Sequence, residues 1–180
     1  SVTAIEVSPA AAHLCKLNYQ TLPPCPGRTV EVVCGDAETT LAGRLATGDA
    51  VVANPPYLPH PPWAVETATQ PNPAMGTNLL LDLISLARRT KVDLALEYST
   101  LAQPDIDGAL AAADGMELEV LAERLVPLRL SMSARYASWL ETERGLIRDA
   151  SDVFEYQHTI RAIVIRGRTP NAGQASVRSG

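Results

Sequence analysis

Four consecutive residues of this chain combine hydrogen-bond acceptors, a flat ring and a rigid backbone: Asn54, Pro55, Pro56 and Tyr57. The side-chain oxygen of Asn54 and the carbonyl of Pro55 can accept hydrogen bonds, and the Tyr57 ring offers a stacking surface. The two prolines fix an extended backbone and remove amide donors. The segment is therefore suited to binding a planar substrate that carries an NH2 group. The competing interpretation is that it is only a rigid turn.

The residues in front of this segment predict the element that positions it. The apolar run 50–53 contains two β-branched residues, Val51 and Val52, and is long enough for one buried parallel strand. Open α/β sheets bind their ligands just outside the carboxyl ends of such strands. We therefore expect Asn54 to Tyr57 to lie at the active edge of a sheet.

Strand and helix patterns alternate along the chain, which predicts an α/β fold with a parallel sheet. In the first predicted helix, Leu14 and Leu17 are expected to face the core. An insert, 129–157, separates the last two predicted strands, and 167–180 is predicted to be a flexible tail. The predicted strands are 2–7, 30–34, 50–53, 93–98, 118–126 and 158–166, and the predicted helices are 10–19, 38–45, 79–87 and 106–113.

Composition and charge exclude several classes of protein. The chain has 180 residues, 46% of them apolar, which predicts one globular domain. Its apolar runs are too short to cross a bilayer, and three cysteines without CxxC spacing favour free thiols in a reducing compartment, so we expect a cytoplasmic protein with no membrane partner. Three scattered histidines give no support for a metal site. The first 120 residues carry 14 acidic and 6 basic side chains, whereas the last 60 carry 6 acidic side chains and 9 arginines.

The segment from Asn54 to Tyr57 resembles the Asn-Pro-Pro-Tyr motif of class I S-adenosylmethionine (AdoMet)-dependent N-methyltransferases. The resemblance implies a Rossmann-like sheet, mostly parallel, that ends in an antiparallel strand pair, with residues 1–180 as a single methyltransferase domain. In that family, an acidic residue after the second strand holds the ribose hydroxyls of AdoMet, and another after the third strand contacts its adenine. The positions that match are Glu6 with Val7 and Asp36 with Ala37, and the resemblance adds Asn54 to the cofactor-binding residues.

One part of the family pattern is missing from this sequence. The family's first strand and Gly-rich turn, which approach the methionine part of AdoMet, should precede Val2, and no similar turn occurs later. We therefore expect the chain to be an N-terminally incomplete part of a longer protein that binds AdoMet poorly by itself. The alternative is a relative of the family that has lost catalysis and serves as a binding module.

The resemblance also implies a mechanism for the motif. Methyl transfer from a sulfonium requires that the nitrogen be positioned against the methyl group. Accepting both N–H hydrogens, at the Asn54 side chain and the Pro55 carbonyl, would stabilise the positive charge that develops on the nitrogen. Tyr57 would stack on the planar group, and base stacking on an aromatic ring is worth about 1–3 kcal/mol.

Two substrate classes fit the motif, and two features favour nucleic acid over protein. The motif resembles both adenine-N6 methyltransferases, which act on DNA or RNA, and glutamine methyltransferases, which act on a release factor. The sequence from Gly76 to Leu79 is similar to a Gly-x-x-Leu helix start in many adenine enzymes. The insert is expected beside the active edge, and its arginines and aromatic residues suit phosphates and unstacked bases. The predicted substrate-binding residues are Tyr57, Trp63, Arg129 and Arg135.

Overall fold

The computed structural model is an α/β structure whose contacts divide the chain into two compact units, residues 1–45 and 46–180. It describes residues 1–23, 26–27, 29–46, 48–63, 76–112, 116–128, 133–149 and 155–167. The predicted helix–strand alternation is confirmed.

The first unit contains two parallel strands and two helices. Strand β1 (Val2–Glu6) pairs with β2 (Val30–Cys34), and the register places Glu6 opposite Cys34. The connecting helix α1 (Pro9–Thr21) begins after Ser8, whose side chain caps it, and α2 (Ala37–Ala42) begins after Asp36. Both carboxyl ends of this strand pair therefore lead into capped helix starts.

The expectation that Leu14 and Leu17 face the core is wrong. The exposed fractions of these side chains are 58% and 43%, respectively. The inner side of α1 is instead formed by smaller residues at helical spacing, with Ala12 buried and Ala11 and Cys15 half-buried. Small side chains allow the helix to pack closely on the strands, and this leaves the larger leucines on the outer side.

The second unit is built on one mixed sheet with the strand order β3–β4–β7–β5. The first pairing in this order is parallel, and the next two are antiparallel, so β7 runs against both of its neighbours. The predicted combination of parallel strands with an antiparallel pair at the C-terminal end is thus confirmed. The strands are β3 (Ala50–Ala53), β4 (Asp93–Ser99), β5 (Glu117–Leu128) and β7 (Tyr156–Arg166), with a short β6 (Ile147–Arg148) also paired to β7.

Strand β3 has the predicted bounds but is buried on one side only. Val51 is buried, whereas the exposed fraction of Val52 is 82%. Among the described strands, β3 pairs with β4 alone. The prediction of a buried strand is therefore right for Val51 and wrong for Val52, because consecutive side chains point to opposite faces.

The described residues of the second unit also include three α-helices and a short 3-10 helix: α3 (Asn78–Thr90), α4 (Gln103–Ala111) and α5 (Ala134–Arg144), with the 3-10 turn at Thr100–Ala102. The predicted apolar stripe of α3 supplies much of the core, and Leu80, Leu83, Ile84 and Ala87 are all buried. Helix α5 and strand β6 lie within the predicted insert 129–157. Of the predicted tail, all residues after Gly167 lie outside the described part. No helix in the described ranges is long and apolar enough to cross a membrane.

Candidate active site at the Asn-Pro-Pro-Tyr segment

The Asn-Pro-Pro-Tyr segment leaves the sheet directly after β3. The Asn54 side chain is exposed, and within the described part of the chain neither its amide nor the Pro55 carbonyl has a hydrogen-bond partner. Pro55 itself is buried, as are Leu58 and Pro59. Apolar residues thus anchor the backbone, and the Asn54 side chain remains accessible to a substrate.

Tyr57 is held between a buried cluster and the ring of His158. The ring centroids of Tyr57 and His158 are 6.0 Å apart, and the planes are tilted by 40°. Burial raises the pKa of Tyr57, and the charge of Glu97 raises it further, so its hydroxyl is neutral at physiological pH. Tyr57 also packs against a set of buried residues that we call the loop core: Leu58, Leu101, Leu128, Tyr136, Ala137, Leu140, Leu146 and Tyr156.

A second pair of residues, which the sequence did not point to, supports this contact. Ser99 ends β4 and His158 lies near the start of β7, so both come to the edge where β3 also ends. The Ser99 Oγ to His158 Nδ1 distance is 2.7 Å, and both residues are buried. Burial lowers the pKa of His158, which favours the neutral imidazole. The sequence signal that could have identified His158 is its position near the start of an antiparallel strand, because the start of such a strand lies beside the carboxyl ends of the parallel strands.

Helix α5 packs against the loop that follows the motif. The buried hydroxyl of Tyr136 donates a hydrogen bond of 2.8 Å to the carbonyl of Pro59. The Trp139 ring stacks on Tyr136 at 5.9 Å and meets Trp63 edge-on at 6.0 Å between centroids. The structure therefore brings the insert and the predicted residue Trp63 together on the same side of the sheet edge as the motif.

The arginines of the insert fall into two groups. The guanidinium of Arg135 lies 4.1 Å from the Trp63 ring centroid, and this exposed residue has no carboxylate partner within the described residues. Arg144 instead forms an ion pair with Asp105 at 3.1 Å, and Arg148 forms one with Glu141 at 2.9 Å. Arg144 and Arg148 are therefore each already paired with a carboxylate, whereas Arg135 is not paired with one among the described residues.

The predicted residue Arg129 lies outside the described residues. The described part of the chain contains no cluster of three or more His, Cys, Asp or Glu side chains placed to hold a metal ion.

The predicted cofactor residues of the first unit lie at the carboxyl ends of β1 and β2. One carboxylate oxygen of Glu6 accepts from the Ser8 amide at 2.9 Å, and one of Asp36 accepts from the Thr39 amide at 2.8 Å. The hydrogen bond from the Thr39 amide lowers the pKa of Asp36. Each carboxylate is thus held in a defined place at a strand end.

The neighbours Val7 and Ala37 are exposed and half-buried, respectively. All four of these predicted cofactor residues belong to the first unit, whereas Asn54 belongs to the second.

Comparisons with known proteins give only a distant similarity. No protein-family model matches the chain. No curated protein matches it. Among solved structures, the crystal structure of precorrin-6y C5,15-methyltransferase from Geobacter metallireducens is similar, with 15% sequence identity and a TM-score of 0.45. The alignment covers 91% of this chain, which spans 64% of the length of that protein. Because one fold hosts many functions, the function is argued from the residues of the site.

Proposed function

We propose that this chain carries the amine-binding part of an AdoMet-dependent N-methyltransferase that acts on the exocyclic amine of adenine in DNA or RNA. The observation that carries the proposal is the exposed Asn54 side chain at the end of β3, which has no hydrogen-bond partner among the described residues. The Asn54 amide is exposed and unpaired within the described residues, and the anchored Pro55 adds a carbonyl beside it. Two acceptors on a rigid backbone suit the two hydrogens of an NH2 group.

The acceptors would work by favouring the charged nitrogen of the transition state. An amine conjugated to a ring is a weak nucleophile because its lone pair is delocalised. Hydrogen bonds from both N–H groups to Asn54 and Pro55 become stronger as the nitrogen gains positive charge, so they lower the barrier more than they strengthen substrate binding. The proton leaves after methyl transfer, so the site requires no strong base.

The surroundings of the motif support a flat, negatively charged substrate. Tyr57 has a half-buried ring packed between the loop core and His158, which leaves part of it open for stacking. The half-buried Trp63, on the loop after the motif, and the exposed Arg135, on α5, form a pair of a ring and a cation. Rings that stack on bases and unpaired arginines that contact phosphates are the recurring parts of nucleic-acid sites.

AdoMet would be the methyl donor, with Glu6 proposed for its ribose hydroxyls and Asp36 for its adenine amine. Carboxylates at strand ends, such as Glu6 and Asp36, can accept hydrogen bonds from vicinal hydroxyls and from an amine. Each retains acceptor capacity beyond its backbone hydrogen bond, because a carboxylate has about four lone-pair sites. Bound AdoMet supplies an electrophilic methyl group, and the residues of this chain orient the amine that receives it.

The proposal is tested by incubating the full-length protein with radiolabelled AdoMet and, separately, with DNA, RNA and a release factor. Label in the N6 amine of adenine is the expected result. Label only in the glutamine side chain of the release factor would contradict the nucleic-acid substrate and keep the chemistry of the motif. If none of the three substrates is labelled although AdoMet binding is measurable, the proposed methyltransferase activity is contradicted and a binding module without catalysis is favoured.

A further inference from the structure

The Tyr57 ring rests against a histidine that the proposed methyl transfer does not otherwise use. The exposed fraction of His158 is only 3%, whereas Tyr57 is half-buried. With 6.0 Å between the ring centroids, the two rings are within the range of aromatic pairs that interact favourably. The imidazole thus forms part of the buried wall against which the tyrosine ring is held.

The hydrogen bonds of Ser99 determine how this imidazole is oriented. The Ser99 hydroxyl oxygen accepts the amide of Leu101 at 3.2 Å and lies 2.7 Å from Nδ1 of His158. Ser99 is completely buried, and its hydroxyl hydrogen has no other acceptor among the described residues. That hydrogen is satisfied when it is donated to Nδ1, which places the imidazole proton on Nε2 and keeps the ring neutral.

No charged group opposes this arrangement. Burial alone lowers the pKa of His158, with no contribution from a neighbouring carboxylate or cation. Among the described residues, the imidazole forms a hydrogen bond with the Ser99 hydroxyl and a ring contact with Tyr57, which is itself neutral. The histidine is therefore a fixed, uncharged support at physiological pH.

We propose that His158, oriented by Ser99, is a positioning residue that fixes the Tyr57 ring for stacking on a planar heteroaromatic amine. This inference rests on the proposed function and narrows its substrate to one with a base-sized flat face. A tyrosine ring that is already held in place loses less conformational freedom when the substrate stacks on it, so binding is tighter. His158 itself forms no contact with the reacting atoms.

A double-mutant cycle tests the inference through substrate affinity. Tyr57→Leu, His158→Leu and the combined variant are compared with the wild type in KM and kcat for adenine-containing substrate. His158→Leu should raise KM about 5- to 10-fold, within the range that base stacking provides, with a smaller change in kcat. The combined variant should bind no worse than Tyr57→Leu alone, because both changes remove the same stacking. His158→Phe, which retains a flat ring, should recover most of the affinity.

A measurement that does not need turnover separates this inference from the proposed function. Ring-labelled tyrosine allows the NMR signal of Tyr57 to be followed in the wild type, in His158→Leu and in Ser99→Ala. A changed signal in both variants, with a folded spectrum elsewhere, is expected. An active enzyme with an unchanged Tyr57 signal and additive effects on KM would overturn the positioning role. A wild type that methylates no amine, while the Tyr57 signal still follows His158, would overturn the proposed function and support the positioning of Tyr57.

Discussion

The hydrogen bond from Tyr136 to Pro59 joins the insert helix to the loop after the motif, and Tyr136→Phe removes it while keeping the ring. The bond is 2.8 Å long and buried, so the substitution leaves the Pro59 carbonyl unpaired without creating a cavity. An unpaired buried carbonyl costs about 1–3 kcal/mol of unfolding free energy. With a urea m-value of about 2 kcal/mol/M, a loss of about 2 kcal/mol lowers the unfolding midpoint by about 1 M.

The two tryptophans make this prediction easy to measure. The chain contains only Trp63 and Trp139, and they lie edge-to-face at the contact between the loop and α5. Their fluorescence therefore reports the unfolding of this contact rather than of the first unit. Tyr19→Phe is the control, because Tyr19 is exposed and its side-chain hydroxyl forms no hydrogen bond within the described residues. A midpoint for Tyr136→Phe equal to that of Tyr19→Phe would refute the reasoning.

The same variant has a distinct effect at high pH. Burial raises the pKa of Tyr136 to about 12, whereas an unfolded tyrosine titrates near pH 10. Between these values the unfolded chain releases a proton that the folded chain retains, so the wild type loses stability as the pH rises, by up to about 1.4 kcal/mol per pH unit. Tyr136→Phe lacks this contribution. The stability difference between the two proteins should therefore shrink from pH 10 to pH 12, and a constant difference would contradict the assignment.

Three further predictions concern His158, Gly76 and Arg135. The lowered pKa of His158 means that the wild type loses stability as the pH falls below about 6.5, since the unfolded chain then binds the proton more readily. His158→Phe should flatten this part of the curve of unfolding free energy against pH, and an unchanged slope would argue against the burial of a neutral imidazole. Gly76→Ala should lower the free energy of unfolding by about 1–3 kcal/mol in a denaturation experiment, because Gly76 has φ +111° and an added Cβ would lie 3.0 Å from the His60 ring. Gly43→Ala is the control: its added Cβ meets nothing within 4 Å, so its free energy of unfolding should be nearly unchanged. Arg135→Ala should weaken nucleic-acid binding and lower the slope of log affinity against log salt concentration by about 1. Arg148→Ala is the control and should change that slope less, because the Arg148 guanidinium is already paired with Glu141. Equal slopes for both variants and the wild type would argue against a phosphate contact at Arg135.

The position of the motif could be predicted from local sequence because its causes are local. The β-branched run before Asn54 and the prolines after it set the bounds of β3 and the start of the loop. The apolar spacing of α3 likewise identified its buried side. In these segments, neighbouring residues along the chain determine the structure.

The support behind the motif could not be predicted, because it depends on residues far apart in sequence. Ser99 and His158 are separated by 59 positions, and Tyr136 and Pro59 by 77. Only the strand order brings each pair together. The orientation of α1 was mispredicted for a related reason, since hydrophobicity alone favoured Leu14 and Leu17 as its inner residues. Close packing on the strands selected smaller side chains instead.

The central claim is that Asn54 binds the amine that receives the methyl group. The most direct test measures methyl transfer to adenine-containing substrate and AdoMet affinity for the wild type and for Asn54→Ala, with Asn18→Ala as the same substitution at an exposed helical site. Asn54→Ala should lower kcat about 100-fold or more, because one transition-state acceptor is lost, and should leave AdoMet affinity nearly unchanged. Wild-type turnover by Asn54→Ala would contradict the central claim and would mean that the motif is a rigid turn.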